Sequence, residues 1–165
     1  MEHFKFCPYC RAKLKKGDVD GRQRLYCADC GWINYRNPVP VAVCLLRDER
    51  KRLLLIKRAI DPCAGSWALA GGFIEMGESV EEAGVRELLE ETGLYAEPVR
   101  VTGARVQRSA TYGYVLVVGV ECRLAGGGVL SPGDDAAEAA FFDVNDLPEI
   151  PFSAQVALID DYLGR

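Results

Sequence analysis

A glutamate-rich segment in the middle of the chain constrains its structure more than any other feature. Its residues follow the pattern Gly72-x5-Glu78-x7-Arg86-Glu87-Leu88-x-Glu90-Glu91-x-Gly93-Leu94. Ser79, with Glu82 three residues later, has the pattern of a capping box, and Gly93 is a suitable residue for a helix C-terminus. We therefore predict a helix from Ser79 to Gly93. An ordinary acidic, solvated helix face would not require the glycines, the arginine and the glutamates at these fixed offsets.

Three glutamates share one side of the predicted helix. Glu87, Glu90 and Glu91 stand at positions i, i+3 and i+4, which lie on one arc of an α-helix. Carboxylates this close repel one another, so we expect a cation to compensate, and oxygen ligands favour Mg²⁺ or Mn²⁺. Arg86 lies one turn before Glu90, and we expect it to hold that carboxylate by a forked hydrogen bond.

The segment before the helix supplies further candidate residues. Glu78 is expected to approach from the loop, and Gly71 and Gly72 let the backbone come close to a metal ion or a phosphate. Cleavage of a pyrophosphate requires neutralised phosphate oxygens and a nucleophilic water, and clustered divalent cations supply both. The pattern therefore indicates metal-dependent phosphate chemistry.

This segment resembles the Nudix box, GX5EX7REUXEEXGU with U aliphatic, and matches it at every specified position. The resemblance implies an α/β fold, the Nudix α/β/α sandwich around a mixed sheet, and hydrolysis of a nucleoside diphosphate linked to another group. It also implies that Glu87, Glu90 and Glu91 bind the catalytic Mg²⁺. By the same resemblance Arg86 orients the glutamates, and Glu78 lies in the metal and water network.

Two residues outside the box are weaker candidates. Glu138 stands where many Nudix enzymes place an additional carboxylate, so it is a candidate auxiliary ligand or base, with a plain surface residue as the alternative. Arg58, at the end of an expected strand, is similar to a residue that faces phosphate in relatives, and a surface arginine is equally consistent with its position. We expect Arg58 to bind substrate together with Gly71 and Gly72. Ala70 replaces the proline that usually precedes the double glycine.

Two cysteine pairs near the N-terminus predict a structural zinc site. Cys7 and Cys10 form one pair, Cys27 and Cys30 the other, and sixteen residues separate the pairs. Two such turns supply the four tetrahedral thiolates of a zinc ribbon, whereas the alternatives are buried thiols or two disulfides. We therefore predict a zinc ribbon over residues 1–36 and a Nudix hydrolase domain over residues 37–165. The remaining three cysteines are expected in the core: Cys44, Cys63 and Cys122.

The charge distribution separates a basic segment from an acidic one. Residues 1–38 carry eight Lys/Arg against four Asp/Glu, and the remainder carries twelve against twenty. A ribbon with this charge is a candidate for binding nucleic acid. The cations that would contribute are Lys13, Lys15, Lys16, Arg22 and Arg24. Lysines in a polar loop more often form a solvated face, and the ribbon has few aromatic residues for base stacking, so we do not expect a nucleic-acid partner.

The sequence also bears on the compartment. The first residues contain no apolar stretch long enough for a signal peptide, and no run of about 18 apolar residues is present to span a membrane. The seven cysteines do not resemble a secreted disulfide framework. We therefore expect a cytoplasmic protein without a membrane partner.

Several secondary-structure elements follow from hydrophobic patterning. The apolar runs 41–46 and 53–56 are predicted to pair as a hairpin, and residues 140–144 and 154–163 are predicted as a last strand and a closing helix. The glycines of 126–128 and the Ser-Pro-Gly of 131–133 are predicted to bracket a mobile loop.

The chain as a whole resembles NADH pyrophosphatases and the plant FAD and ADP-ribose pyrophosphatases, in which a ribbon precedes a Nudix domain. The SQPWPFPxS signature of the NADH enzymes is absent, since residues 107–114 read QRSATYGY, and residues 147–153 are closer to the FAD-type pattern. We therefore expect a pyrophosphatase acting on FAD, ADP-ribose or a similar compound, as a homodimer. The alternatives are a (d)NTP pyrophosphohydrolase and a non-catalytic nucleotide-sensing or nucleic-acid-binding regulator.

Overall fold

The structure, a computed structural model, describes residues 4–165. Residues 1–3 lie outside that part. They begin the N-terminal segment in which we expected no signal peptide. Contacts between residues divide the chain into two compact units, Met1–Asn37 and Pro38–Arg165. Between Phe4 and the last residue, no helix is both long and apolar enough to cross a membrane.

The first unit is built around a β-hairpin that lies between the two cysteine pairs. Strands β1 (Lys15–Val19) and β2 (Arg22–Tyr26) pair antiparallel. The two residues that join them, Asp20 and Gly21, both have positive φ, as the tightest hairpin turns require. The core of this unit is very small. Its buried members are Cys7, Leu14 and Cys27, with Ala12, Leu25 and Trp32 packed against them.

The second unit contains seven strands and two helices. The strands are β3 (Val39–Leu46), β4 (Leu53–Arg58), β5 (Trp67–Ala68), β6 (Gly71–Phe73), β7 (Leu94–Ser109), β8 (Gly113–Gly128) and β9 (Ala136–Phe142), and the helices are α1 (Val80–Thr92) and α2 (Ser153–Leu163). They form a four-stranded sheet of order β6-β3-β8-β7 and a three-stranded sheet of order β5-β4-β9. The larger sheet is mixed, because β3 and β8 run parallel while its other pairs are antiparallel.

Side chains from both faces of the sheets are buried, so the unit has two hydrophobic cores. Alternate residues of β3 and β4 point to opposite sides, and each side is covered by one helix. The core on the α1 side includes Cys44, Leu46, Leu54, Ile56 and Leu88. The core on the α2 side includes Val43, Leu45, Leu53, Leu55 and Leu158. Burial on both faces explains why β3 and β4 are continuous apolar runs, and the resulting architecture is the predicted α/β/α sandwich.

The predicted hairpin between β3 and β4 is wrong. β3 pairs with β6 and β8, whereas β4 pairs with β5 and β9, and only an isolated bridge joins Arg47 to Leu53. Strands that are apolar on both faces can accept many neighbours, so their sequences predict strands without identifying the partners.

Two further predictions are also corrected. Gly126, Gly127 and Gly128 belong to β8 rather than to a loop. A side chain at Gly128 would place Cβ 2.3 Å from the carbonyl oxygen of Gly93, so glycine here permits a close strand contact. Cys44 and Cys122 are buried as predicted, whereas Cys63 is exposed in the loop after β4.

Both ends of α1 are confirmed. The Ser79 side chain accepts from the Glu82 backbone N–H (3.1 Å), and the Glu82 carboxylate accepts from the Ser79 N–H (2.7 Å). Gly93 ends the helix in the left-handed conformation with φ of 69°, and its N–H donates to the Leu89 carbonyl.

Candidate active site

Helix α1 buries one face in the core and carries the predicted acidic residues on another. Leu88 is fully buried against the sheet, while Glu87 and Glu90 have side-chain exposures of 15% and 44%. Glu91 is only 3% exposed, which is unusual for a carboxylate. Of the three predicted metal ligands, Glu90 is therefore the most exposed and Glu91 the most buried.

Arg86 uses all five of its N–H donors within this site. Nε and Nη2 form a forked pair of hydrogen bonds with the Glu78 carboxylate, at 2.7 and 3.0 Å. Nη1 donates to Glu87 (2.8 Å) and to Glu90 (3.0 Å), and Nη2 also donates to the Phe73 carbonyl. The forked bond was predicted for Glu90 but is made with Glu78. The loop brings Glu78 to the Nε edge of the guanidinium, while Glu90 on the same helix reaches one nitrogen.

The hydrogen bonds of Arg86 change the pKa values of the groups around it and of Arg86 itself. Its hydrogen bonds, with a further bond from the Glu75 N–H, lower the pKa of Glu78 to about 2. The bond to Glu78, followed by that to Glu87, raises the pKa of Arg86 itself. Burial raises the pKa of Glu87, although Arg86 opposes this effect. Glu78 and Arg86 therefore form a fixed ion pair at the edge of the site.

Glu91 is a buried carboxylate held by the backbone. Its Oε2 accepts a hydrogen bond from the Gly71 N–H at 2.9 Å. Burial raises the pKa of Glu91 to about 7; the Gly71 N–H and the positive charge of Arg58 lower it, while the negative charges of Glu87 and Asp135 raise it further. A carboxylate in such a position is suited to binding a cation, because a cation would offset the cost of its burial.

Gly71 and Gly72 are required for the close approach of β6 to its neighbours. A Cβ atom at Gly72 would lie 2.4 to 2.6 Å from the carboxylate of Glu87. A Cβ atom at Gly71 would lie 2.2 Å from the carbonyl oxygen of Ala42 on β3. The double glycine thus brings the backbone directly against the acidic face of α1, while its approach to a metal ion or a phosphate stays a prediction.

Two acidic residues that no sequence motif indicated also lie at this site. The loop before β9 is bonded to the C-terminal turn of α1, where the Ser131 and Gly133 N–H groups donate to carbonyls that the helix leaves free. The loop continues into Asp134 and Asp135, and their negative charges raise the pKa of Glu87 and Glu91 respectively. The acidic pair after Pro-Gly was the available sequence signal, but no spacing links it to the helix.

Glu138 does not join this group of acidic residues. It stands opposite Lys57 in the β4–β9 ladder, and the two side chains form an ion pair of 2.9 Å. Lys57 is also opposite Trp67 of β5, and Trp67 packs in the α2-side core. Residues directly opposite in a ladder share a face, so Glu138 lies on the α2 side of the sheet and the glutamate helix on the other.

Arg58 lies next in β4, and a bulge in the ladder follows Lys57. Its Nε donates to the Pro62 carbonyl (2.8 Å), and its charge lowers the pKa of Glu91. The structure therefore places Arg58 near the buried carboxylate.

The four ribbon cysteines converge on a single point. Their sulfur atoms all lie within 4.8 Å of one another. Tetrahedral zinc with Zn–S bonds of about 2.3 Å separates its sulfurs by about 3.8 Å, so the cluster fits a zinc ion. In each pair the residue after the second cysteine, Arg11 or Gly31, has positive φ and donates its N–H to the first cysteine's carbonyl at 3.0 Å. The two halves of the cluster thus have the same backbone conformation.

The carboxylates of α1 are suitable ligands for a hard cation, but they are less tightly grouped than the four cysteines. Among the described residues, they do not form a group of donor atoms as tight as that of the cysteines. Glu87 and Glu90 are bonded to Arg86, and Glu91 to Gly71. All supply oxygen ligands on one helix face, which is the donor set that Mg²⁺ or Mn²⁺ prefers.

An aromatic corner lies beside the double glycine. The rings of Phe73 and Tyr112 meet edge to face with their centroids 5.2 Å apart. Both rings remain partly exposed, at 39% and 49%. Because the Phe73 carbonyl accepts from Arg86, this corner is tied directly to the acidic site.

Comparison with known proteins identifies relatives of this chain. A sequence model of the NUDIX domain matches residues 37–159. An ADP-ribose pyrophosphatase from Methanocaldococcus jannaschii is 42% identical over 134 residues, which are 78% of this chain and 75% of that protein. An NAD-capped RNA hydrolase NudC from Pseudomonas entomophila is 28% identical over 99% of this chain, which spans only 57% of that relative's length. The crystal structure of a NUDIX hydrolase from Nitrosomonas europaea has a TM-score of 0.78 and 27% identity, over 96% of this chain and 88% of that one.

Proposed function

Because the chain belongs to the Nudix family of pyrophosphohydrolases, we propose that it hydrolyses the diphosphate of ADP-ribose or a similar nucleoside diphosphate derivative, such as FAD, with Mg²⁺ or Mn²⁺ as the catalytic metal. One observation carries this proposal: the acidic face of α1 lies against the double glycine with Arg86 and Gly71 fixing its carboxylates. The similarity to the ADP-ribose pyrophosphatase of M. jannaschii supports the choice of substrate.

Glu87, Glu90 and Glu91 are the residues that would hold the metal. A divalent cation at this position supplies charge neutralisation for the phosphate oxygens and a more acidic water. Arg86 and Glu78 take no part in the chemical step; their ion pair fixes Glu87 and Glu90 relative to the backbone. Asp134 and Asp135, rather than Glu138, are the additional carboxylates that we assign to the site, because their charges raise the pKa of Glu87 and Glu91, whereas Glu138 is paired with Lys57.

The substrate would be bound on both sides of the reacting diphosphate. Arg58 adds positive charge near Glu91. A diphosphate bound beside the metal would need this charge to balance its oxygens. The corner formed by Phe73 and Tyr112 offers an aromatic face on which an adenine ring can stack. In the reaction, water attacks one phosphorus of ADP-ribose and the bond from that phosphorus to the bridging oxygen breaks, which yields AMP and ribose 5-phosphate.

A substrate panel with Mg²⁺ tests this proposal. ADP-ribose, FAD, NADH, diadenosine polyphosphates and (d)NTPs are incubated with the protein, and the products are separated and quantified. We expect the highest kcat/KM for ADP-ribose or FAD, with AMP released, and no turnover without a divalent cation. Preferential release of pyrophosphate from a (d)NTP would support the alternative triphosphate reaction, and no cleavage of any compound would contradict the proposal.

A further inference from the structure

The cysteine-bearing unit carries a positively charged groove for which the diphosphate reaction gives no role. The groove has a volume of about 190 Å³ and is lined by Lys16, Gln23, Arg24, Leu25, Asn34 and Arg36. Three of these residues are cations and none is acidic. The Asn34 N–H donates to the Leu25 carbonyl (2.8 Å), which holds the segment that contains Asn34 against β2. The volume is below that of a typical small-molecule pocket but is sufficient for a phosphate group.

Arg24 is held in a fixed position at this groove. Its guanidinium lies over the ring of Tyr35, 4.8 Å from the ring centroid. Its Nε is buried and has no hydrogen-bond partner among the described residues. A buried charged donor without an acceptor is unfavourable, and an anion bound in the groove would offset the guanidinium charge electrostatically.

The same unit exposes several aromatic side chains. Phe6, Tyr9 and Tyr35 have exposures of 58%, 78% and 53%. From the sequence we expected few aromatic residues to be available for stacking, but folding places these three at the surface. An excess of positive charge combined with exposed aromatic rings matches the two recurring features of proteins that bind single-stranded nucleic acid.

We propose that this groove binds the phosphate backbone of single-stranded nucleic acid, with Tyr35 providing a neighbouring face for a base. Charge complementarity favours this ligand, because residues 1–38 carry eight Lys/Arg against four Asp/Glu and the groove lining has no acidic residue. The amide side chains of Gln23 and Asn34 add neutral donors for sugar and phosphate oxygens. The groove belongs to the first unit and the acidic residues of α1 belong to the second, so the proposal does not depend on the proposed hydrolysis.

Fluorescence anisotropy with a labelled 15-nucleotide oligouridylate RNA tests this proposal on the full chain with its zinc, without added Mg²⁺. Arg36→Ala and Lys16→Ala remove exposed cations of the groove, and we expect each to weaken binding by about fivefold or more. Each should also reduce the slope of log K against log salt by about 0.7, the value for one phosphate contact on a single strand. Arg22→Ala is the matched control, because Arg22 is an exposed cation of β2 outside the groove. We expect it to change binding by less than about twofold.

Zinc content and melting temperature are measured for every variant, so that a loss of binding is assigned to the groove only when the unit is intact. Absence of saturable RNA binding by the unaltered protein would overturn the proposal. Equal weakening by Arg22→Ala and Arg36→Ala would overturn it too, as would competition by polyglutamate as effective as that by unlabelled RNA. Hydrolysis of ADP-ribose is measured separately and should be unchanged in Arg36→Ala. A failure of the proposed hydrolysis therefore appears in a different assay from a failure of RNA binding.

Discussion

The sequence determines the positions of some residues in the acidic site but not of others. Glu87, Glu90 and Glu91 lie on one helix face because the α-helix fixes the direction of residues three and four apart, and the box pattern predicted this. The partner in the forked bond with Arg86 and the acidic residues of the loop before β9 depend on tertiary contacts between distant segments. Local sequence spacing contains no information about these contacts.

Gly72→Ala tests whether the close approach of β6 to Glu87 is needed. The added Cβ would overlap the Glu87 carboxylate, which is the flexible end of a side chain, so the fold should remain while the carboxylate is displaced. We expect kcat to fall by about tenfold or more, with a change in melting temperature below about 3 °C. Gly103→Ala is the control, because its Cβ would make ordinary contacts at 3.6 Å and beyond. Equal activity in both variants would contradict the role given to Gly72.

Paired neutralisations distinguish the acidic residues near α1 from Glu138. Asp135 influences Glu91 electrostatically, whereas Glu138 is paired with Lys57 on the other side of the sheet. We therefore expect Asp135→Asn to reduce kcat by about tenfold or more and Glu138→Gln to reduce it by much less. Steady-state kinetics at saturating Mg²⁺ measure both. A larger loss in Glu138→Gln would restore that residue as the auxiliary carboxylate.

Among the secondary-structure elements, α1 was predicted correctly with its caps, whereas the predicted pairing of β3 with β4 was wrong. Both capping interactions of α1 are local, between residues three or four apart, so the sequence specifies them. The pairing of β3 with β8, rather than with β4, is determined by how the two hydrophobic cores close. A short turn between apolar runs therefore did not identify a hairpin.

Ser79→Ala tests the contribution of the capping box to the helix that carries the carboxylates of the proposed metal site. The substitution removes the acceptor for the Glu82 N–H, and we expect the free energy of unfolding of the second unit to fall by about 1 kcal/mol. Chemical denaturation followed by circular dichroism measures this. Ser79→Asp keeps an acceptor at the cap and should retain most of the stability. If both variants are equally destabilised, the hydrogen bond is not the cause.

At the scale of the whole molecule, the first unit has too small a core to be stable by hydrophobic burial alone. From Phe4 to Asn37 its buried hydrophobic residues are Cys7, Leu14 and Cys27, and two of these three are ligands of the proposed zinc ion. Metal binding supplies folding free energy in units of this kind. The second unit buries a core on each side of its sheets, so we expect its fold to persist without a metal ion.

Zinc removal is therefore expected to affect the two units differently. Elemental analysis should find about one zinc per chain in the purified protein. Removal by a chelator, or Cys27→Ser, should abolish the dispersed amide signals of the hairpin in an NMR spectrum while those of the second unit remain. Cys63→Ser is the control, since Cys63 is exposed and outside the cluster. Unchanged hairpin signals in zinc-free protein would contradict the ribbon assignment.

The turnover of Glu91→Gln tests whether the acidic face of α1 binds the catalytic metal, because Glu91 is buried there, bonded to the double glycine, and is a proposed metal ligand. The amide oxygen of glutamine can still accept from the Gly71 N–H, and loss of a buried charge does not weaken packing, so the melting temperature should stay within about 3 °C of the original. Release of AMP from ADP-ribose with Mg²⁺ should fall by about 100-fold or more, since one anionic ligand is lost. A folded Glu91→Gln protein that hydrolyses ADP-ribose at the original rate would contradict the assignment of Glu91 as a ligand of the catalytic metal.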